Sequence, residues 1–223
     1  MHRENYLVRL LMCGDSSSGK TSLVLRFTSN EFSHHFVSTI GVDFRTLKTR
    51  LGERDCTVQV WDTAGQERYS SLTSSFFNRA DGVCLTFDCS SRSSFQRVQH
   101  WWAELSAHKV VGSDVNAIIL CTKVDLPSES REVSAEEGRS LAKTYGVPYF
   151  ETSSKNGTGV IEAFSALAVL IMDRRYPYSI VPNQQPRLRS DEAEPPFVPA
   201  ALQPVYLRPD GRVEPTISSG PCC

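Results

Sequence analysis

Residues Gly14-Asp15-Ser16-Ser17-Ser18-Gly19-Lys20-Thr21 have the types and spacing of a phosphate-binding turn. Such a turn aims successive backbone N–H groups at one point, its lysine adds a point charge near the outer phosphates, and its threonine hydroxyl can bind Mg²⁺. The implied ligand is a nucleoside triphosphate. A second polar group, Asp62-Thr63-Ala64-Gly65-Gln66, offers a carboxylate to hold Mg²⁺ through water. It also offers a small residue able to approach a γ-phosphate and an amide, Gln66, that can orient a water for in-line attack. Thr39 can reach the same metal and γ-phosphate. Thr122-Lys123-Val124-Asp125 and Glu151-Thr152-Ser153-Ser154-Lys155 suit a base: an aspartate accepts hydrogen bonds from guanine N1–H and the 2-amino group, and adenine offers neither.

These groups need elements to hold them. The apolar run Tyr6 to Cys13 reads as a strand, followed by a helix from Lys20 to about Asn30. Asp43 to Leu51 and Cys56 to Asp62 alternate with a period near two across Gly52-Glu53-Arg54, which predicts a hairpin and one antiparallel edge strand. Gly82 to Asp88 and Val115 to Cys121 are near-continuous apolar runs, as in strands covered on both faces. Helices are predicted at Ser93 to Lys109, at Ala135 to Tyr145 after Ser134 as N-cap, and at Val160 to Arg174, the last strongly amphipathic. Pro148 to Thr152 makes a sixth, short strand. Alternating strands and helices predict a mostly parallel α/β sheet, and in such sheets ligands bind beyond the carboxyl ends of the strands. Each polar group above follows a strand or lies in the loop between the first helix and the hairpin.

Composition bounds the rest. The chain has 223 residues, 40% of them hydrophobic, and a formal net charge of −1, which suits one globular domain and gives no basic footprint for nucleic acid. Ten of the twelve prolines lie from Pro177 onward, so the segment beginning near Tyr176 is expected to be disordered. The start, Met1 to Asn5, lacks the apolar core of a secretory signal, and no apolar run approaches the roughly 18 residues needed to span a bilayer. A cytosolic, reducing setting is expected. There Cys13, Cys84 and Cys121, inside strands, serve as small core hydrophobes.

The motifs occur in the order found in the Ras superfamily of small GTPases, and over residues 5 to 175 the chain resembles a member of the Rab family. The resemblance implies an α/β P-loop NTPase fold of the Ras-like G-domain type: a six-stranded, mostly parallel sheet with helices on both faces, plus a disordered C-terminal tail. It divides the chain into a GTPase domain, 1–175, and a proline-rich flexible tail, 176–223. Carried over residue by residue, Ser16, Ser17, Ser18, Gly19, Lys20, Thr21 and Ser22 would cradle the phosphates. Thr21 and Thr39 would bind Mg²⁺ directly, and Asp62 indirectly. Gly65 would sense the γ-phosphate and Gln66 would be catalytic. Phe32 would stack on the purine. Thr122, Lys123, Asp125, Ser153, Ser154 and Lys155 would form the base site. Phe44, Trp61 and Phe76 would form an aromatic triad read by effectors, with core packing an equal alternative for Phe44 and Trp61.

Three departures stand out. Most relatives carry asparagine at Thr122; an amide both donates and accepts, whereas threonine has one hydroxyl on a shorter, stiffer stem. Losing one or two bonds of about 1 kcal/mol each predicts roughly 5- to 30-fold weaker nucleotide binding. Ser154 replaces the more usual alanine, where the relevant contact is a backbone N–H. Ser16-Ser17-Ser18 stands where relatives often carry serine, glycine and a small apolar residue. No arginine in the chain is identified as a finger in cis, Arg68 being only a weak candidate, so hydrolysis is expected to be slow until an activating partner acts.

The chain ends Pro221-Cys222-Cys223. This is not a C-a-a-X box but resembles the Rab terminus that takes two geranylgeranyl groups, the number that stable anchoring requires. From Tyr176 onward there are four arginines, no lysine and five acidic residues, so charge contributes little to membrane binding. As a flexible coil the tail spans on the order of 40 Å. The family further implies exchange factors, GTPase-activating proteins, effectors, a prenyl escort and chaperones of the GDP-dissociation-inhibitor type. It places the protein on the cytoplasmic face of intracellular membranes, cycling with the cytosol, in vesicle traffic. Two other readings compete: a binding-only pseudo-GTPase adaptor weakened at Thr122, opposed by Gln66, and an ATP-using enzyme, opposed by Asp125.

Overall fold

A computed structural model describes residues 5–33, 39, 41–52, 54–63, 76–108 and 116–176. Six strands form one sheet: β1 (Asn5–Cys13), β2 (Val42–Leu51), β3 (Arg54–Thr63), β4 (Gly82–Asp88), β5 (Ala117–Thr122) and β6 (Tyr149–Glu151). Their spatial order is β2-β3-β1-β4-β5-β6. β2 and β3 pair antiparallel as the expected hairpin, and every other pairing is parallel. The helices are α1 (Lys20–Ser29), α2 (Arg92–His108), α3 (Ala135–Tyr145) and α4 (Val160–Arg175), with one turn of 3₁₀ helix at Ser128–Ser130.

The core divides by face because successive strand residues point to opposite sides of a sheet. In β1, Val8, Leu10 and Met12 turn toward α1 and α4, where Leu23, Val24, Phe27, Phe164 and Leu167 close over them. Leu11 and Cys13 turn the other way, into a cluster with Leu85, Phe87 and Ile119 of the sheet, Val98, Trp101 and Leu105 of α2 and Ala142 of α3. Phe27 stacks on Phe164 at 4.4 Å between ring centres, locking α1 to α4. Each such fully buried side chain contributes roughly 1.5–3 kcal/mol. Helices therefore cover both faces, as expected, and every residue of β4 and β5 is buried.

Local signals explain the boundaries. Ser134 and Glu137 form a complete capping box on α3, and Gly146 ends that helix in the left-handed conformation. β5 runs on through Thr122, which pairs in register with Asp88; the expected strand stopped one residue earlier. α4 is less one-sided than expected. Val160, Ala163, Phe164, Leu167, Ala168, Ile171 and Met172 form the buried stripe, but Ile161, Val169 and Leu170 also pack partly against the core. The five cysteines of the described residues are free and buried, and burial pushes the Cys13 and Cys121 thiols up to about 12. None of the helices among the described residues is long and apolar enough to cross a membrane.

Candidate functional site

The loop from β1 to α1 is built around positive backbone angles. Gly14 (φ 144°), Ser17 (φ 64°) and Gly19 (φ 91°) bend it back on itself, and a Cβ at Gly14 would run into the backbone oxygen of Thr86. α1 has no side-chain cap at its start, so its first N–H groups remain donors for an anion. Lys20 is buried, and its Nζ donates to the carbonyls of Gly14 and Asp15, each at 2.7 Å. Burial lowers its pKa to about 8, against the pull of Asp62, Cys13 and Asp15. A desolvated ammonium of this kind is poised for phosphate oxygens. Ser16 and Ser17 are exposed, Thr21 and Ser22 half-buried, and Ser18 buried with its hydroxyl unpaired among the described residues.

Three oxygen groups converge beside the loop. Thr21 Oγ1 donates to Asp62 Oδ2 at 2.6 Å and lies 2.8 Å from Thr39 Oγ1. Thr39 Oγ1 itself reaches Asp62 Oδ2 at 3.4 Å. Burial raises the Asp62 pKa, while the Thr21 bond, the Lys20 charge and the Thr39 bond pull it down. Its second oxygen, Oδ1, is buried and has no hydrogen-bond partner among the described residues. Two hydroxyls and a carboxylate with an unsatisfied oxygen form a hard-oxygen set suited to Mg²⁺, which keeps several waters and binds through few protein ligands.

The base loops join this site through β5. Thr122 Oγ1 donates to the Ser18 carbonyl at 2.7 Å and lies 3.1 Å from the Phe87 carbonyl, the alternative acceptor for its single proton. Lys123 adopts a left-handed backbone (φ 61°) and pairs with Asp88 Oδ2 at 2.6 Å. Ser153 Oγ donates to Asp125 Oδ1 at 2.5 Å, and Lys155 Nζ lies 3.9 Å from Asp125 Oδ2, fixing the carboxylate beyond the ends of β5 and β6. Ser154 is buried and Phe32 half-buried. Phe44 stands 62% exposed on the edge strand, directly across from Trp61, and Trp61 meets Phe76 edge-on at 5.1 Å. Core packing thus holds for Trp61 and Phe76 in part and fails for Phe44. Gly65, Gln66, Cys222 and Cys223 lie outside the described residues.

Three contacts had no counterpart in the sequence reading. Arg26 of α1 donates to the carbonyls of Ser154 and Lys155, at 2.6 and 2.9 Å, clamping the second base loop. Asp88 receives Lys123; its place at the carboxyl end of β4 was the one available signal. Arg97 of α2 donates from Nε to Asp15 Oδ1 at 2.7 Å.

A phosphate loop between the first strand and helix of a mostly parallel sheet, with base-type loops at the same strand ends, defines a nucleotide-binding α/β domain. The Ras family model matches residues 9–173. The Ras-related protein Rab-8B of Pongo abelii is 41% identical over 170 residues, covering 76% of this chain and 81% of that protein. Rab-27A of Rattus norvegicus is 42% identical over 181 residues, covering 76% and 80%. The GTP-binding protein yptV2 of Volvox carteri is 39% identical over 168 residues, covering 75% and 76%. The chain belongs to the Ras family of small GTPases, among the Rab proteins. Members of that family in general bind GTP and GDP with Mg²⁺ and hydrolyse GTP.

Proposed function

We propose that this protein is a membrane-anchored guanine-nucleotide switch that binds GTP, hydrolyses it slowly to GDP and phosphate, and recruits effectors in vesicle traffic. The observation that carries this reading is the meeting of three groups at the carboxyl ends of the sheet's inner strands. They are Lys20 in its loop, the Thr21–Thr39–Asp62 oxygen cluster, and the base loops tied in by the Thr122–Ser18 bond.

Lys20 and the loop N–H groups hold the β- and γ-phosphates, with Ser16 to Ser22 lining them. Thr21 and Thr39 hold Mg²⁺ and Asp62 supports it through water; the ion, when bound, neutralises charge on the phosphate oxygens. Asp125 accepts from the guanine N1–H and 2-amino group, Phe32 stacks on the ring, and Lys123, Ser153, Ser154 and Lys155 frame it. Gln66 orients a water that attacks the γ-phosphorus as the bond to the β-phosphate oxygen breaks. Thr39 and Gly65 detect the γ-phosphate and order segments 36–45 and 65–77, which carry Phe44 and Phe76 and, with Trp61 of β3, form the surface read by effectors.

The GTPase domain covers residues 1–175, and the tail, 176–223, ends in two cysteines that carry geranylgeranyl groups. Exchange factors and activating proteins set the cycle. Prenyl escorts and dissociation-inhibitor chaperones move the protein between cytosol and the cytoplasmic face of intracellular membranes. The Thr122 hydroxyl, committed to the Ser18 and Phe87 carbonyls, favours a second reading, a binding-only adaptor with weakened nucleotide affinity.

One experiment tests both. The purified protein is stripped, its nucleotide identified, and single-turnover hydrolysis of GTP and ATP followed with and without Gln66→Leu. Guanine nucleotide with slow GTP turnover that Gln66→Leu abolishes supports the switch. Weakly held guanine nucleotide with no turnover supports the adaptor, and turnover of ATP refutes both.

A further inference from the structure

Asp15 places a carboxylate inside a loop built to attract phosphate. Its side chain is only 19% exposed, so an unpaired charge there would be poorly screened and would repel a polyphosphate. The structure pairs it with Arg97, whose Nε donates to Asp15 Oδ1 at 2.7 Å across 82 residues of sequence. The same residue is a junction for the loop. The Asp15 carbonyl accepts Lys20 Nζ at 2.7 Å and the Ser18 N–H at 3.3 Å.

Arg97 stands on a firm base. Its neighbours on α2, Ser94, Val98 and Trp101, are buried, and the Ser94 hydroxyl accepts from the Asp88 N–H at 3.1 Å, fixing the helix start to the end of β4. A pull on Asp15 from Arg97 is therefore a pull from the core of the domain.

We propose that Arg97 is a positioning residue for nucleotide binding: by pairing with Asp15 it neutralises the carboxylate of the phosphate loop and holds the Asp15 carbonyl against the Lys20 ammonium. This rests on the guanine-nucleotide reading above. Arg97 acts through Asp15 and not on the nucleotide itself. Because the repulsion it removes grows with ligand charge, its effect is larger for a triphosphate than for a diphosphate.

The test uses the full-length protein loaded with fluorescent GDP or a fluorescent non-hydrolysable GTP analogue and chased with unlabelled nucleotide. Arg97→Ala is expected to speed release about 3- to 10-fold, more for the triphosphate, and Arg97→Lys to restore part of the loss. Adding Asp15→Asn to Arg97→Ala is expected to recover at least half of the change, because the carboxylate that required pairing is gone. A merely structural arginine would lower the thermal midpoint in the single and double variants alike and show no such recovery. Release from Arg97→Ala at the wild-type rate, or a double variant as fast as the single one, overturns the proposal. If Arg97→Ala fails to fold, Arg97→Gln takes its place in both arms. Wild-type protein that retains no guanine nucleotide overturns the underlying reading, and this proposal with it, before any variant is compared.

Discussion

The Thr122 hydroxyl donates to the carbonyl of Ser18 at 2.7 Å, joining the end of β5 to the underside of the phosphate loop. The same hydroxyl approaches the Phe87 carbonyl at 3.1 Å. It has one proton to give. Thr122 thus keeps the tie to the loop, and what it lacks beside asparagine is a second N–H for a purine.

Thr122→Asn is accordingly expected to slow GDP dissociation about 5- to 30-fold by adding one or two hydrogen bonds of about 1 kcal/mol each. Thr122→Val, which keeps the shape and removes the hydroxyl, is expected to speed dissociation and to cost about 1–3 kcal/mol of stability through the buried Ser18 carbonyl. Stopped-flow release and denaturant unfolding measure the two effects. Equal dissociation from wild type and Thr122→Asn would show that position 122 does not govern nucleotide lifetime.

Phe44 is the outlying member of the aromatic group, exposed where Trp61 and Phe76 are partly packed. Phe44→Ala is expected to change folding stability by less than about 0.5 kcal/mol while reducing capture of GTP-dependent partners by more than about tenfold, as loss of an aromatic anchor does. Comparative pull-down from one extract with GTP-loaded wild type and variant, beside thermal melts, reads both. A large stability loss would return Phe44 to the core.

Glu137 supplies a pH signature away from the nucleotide. Hydrogen bonds from Arg92, then from the Ser134 N–H and hydroxyl, hold its carboxyl at about 2, below the ordinary 4.5. Because the folded state lowers this pKa, the stabilisation is complete above about 4.5 and disappears as pH falls toward about 2. The melting temperature of Glu137→Gln should therefore lie below that of wild type at pH 7, with the gap closing over that window. A gap independent of pH would mean that the contact is not ionic.

Cys222→Ser with Cys223→Ser is expected to shift the protein from the membrane to the soluble fraction on cell fractionation. The tail, with four arginines against five acidic residues, carries no net positive charge to hold it at an anionic surface, and a single lipid chain binds only marginally. Full membrane retention of the double variant would place the anchor elsewhere.

Much of this protein was legible in order along the chain. The phosphate loop is eight consecutive residues, β4 and β5 are unbroken apolar runs, and the hairpin alternates with period two, so each follows from short-range sterics and periodicity. Even there, the one-sidedness expected of α4 gave way because both α1 and the sheet take up its apolar surface. Arg26 gave no signal at all. It reads as an ordinary polar position on α1, yet it meets the Ser154 carbonyl across 128 residues.

By itself, then, the sequence determined the chemistry on offer: a phosphate turn, a hydroxyl and carboxylate set, an aspartate for a base, and the alternation that gathers them at the strand ends. Only the tertiary structure decided how those groups are held. That β5 lies beside β4, and β4 beside β1, brings Thr122 to Ser18 and sets α2 where Arg97 can reach Asp15. Such pairings depend on a few tenths of an ångström between residues far apart in the chain, and no local propensity encodes a distance of that kind.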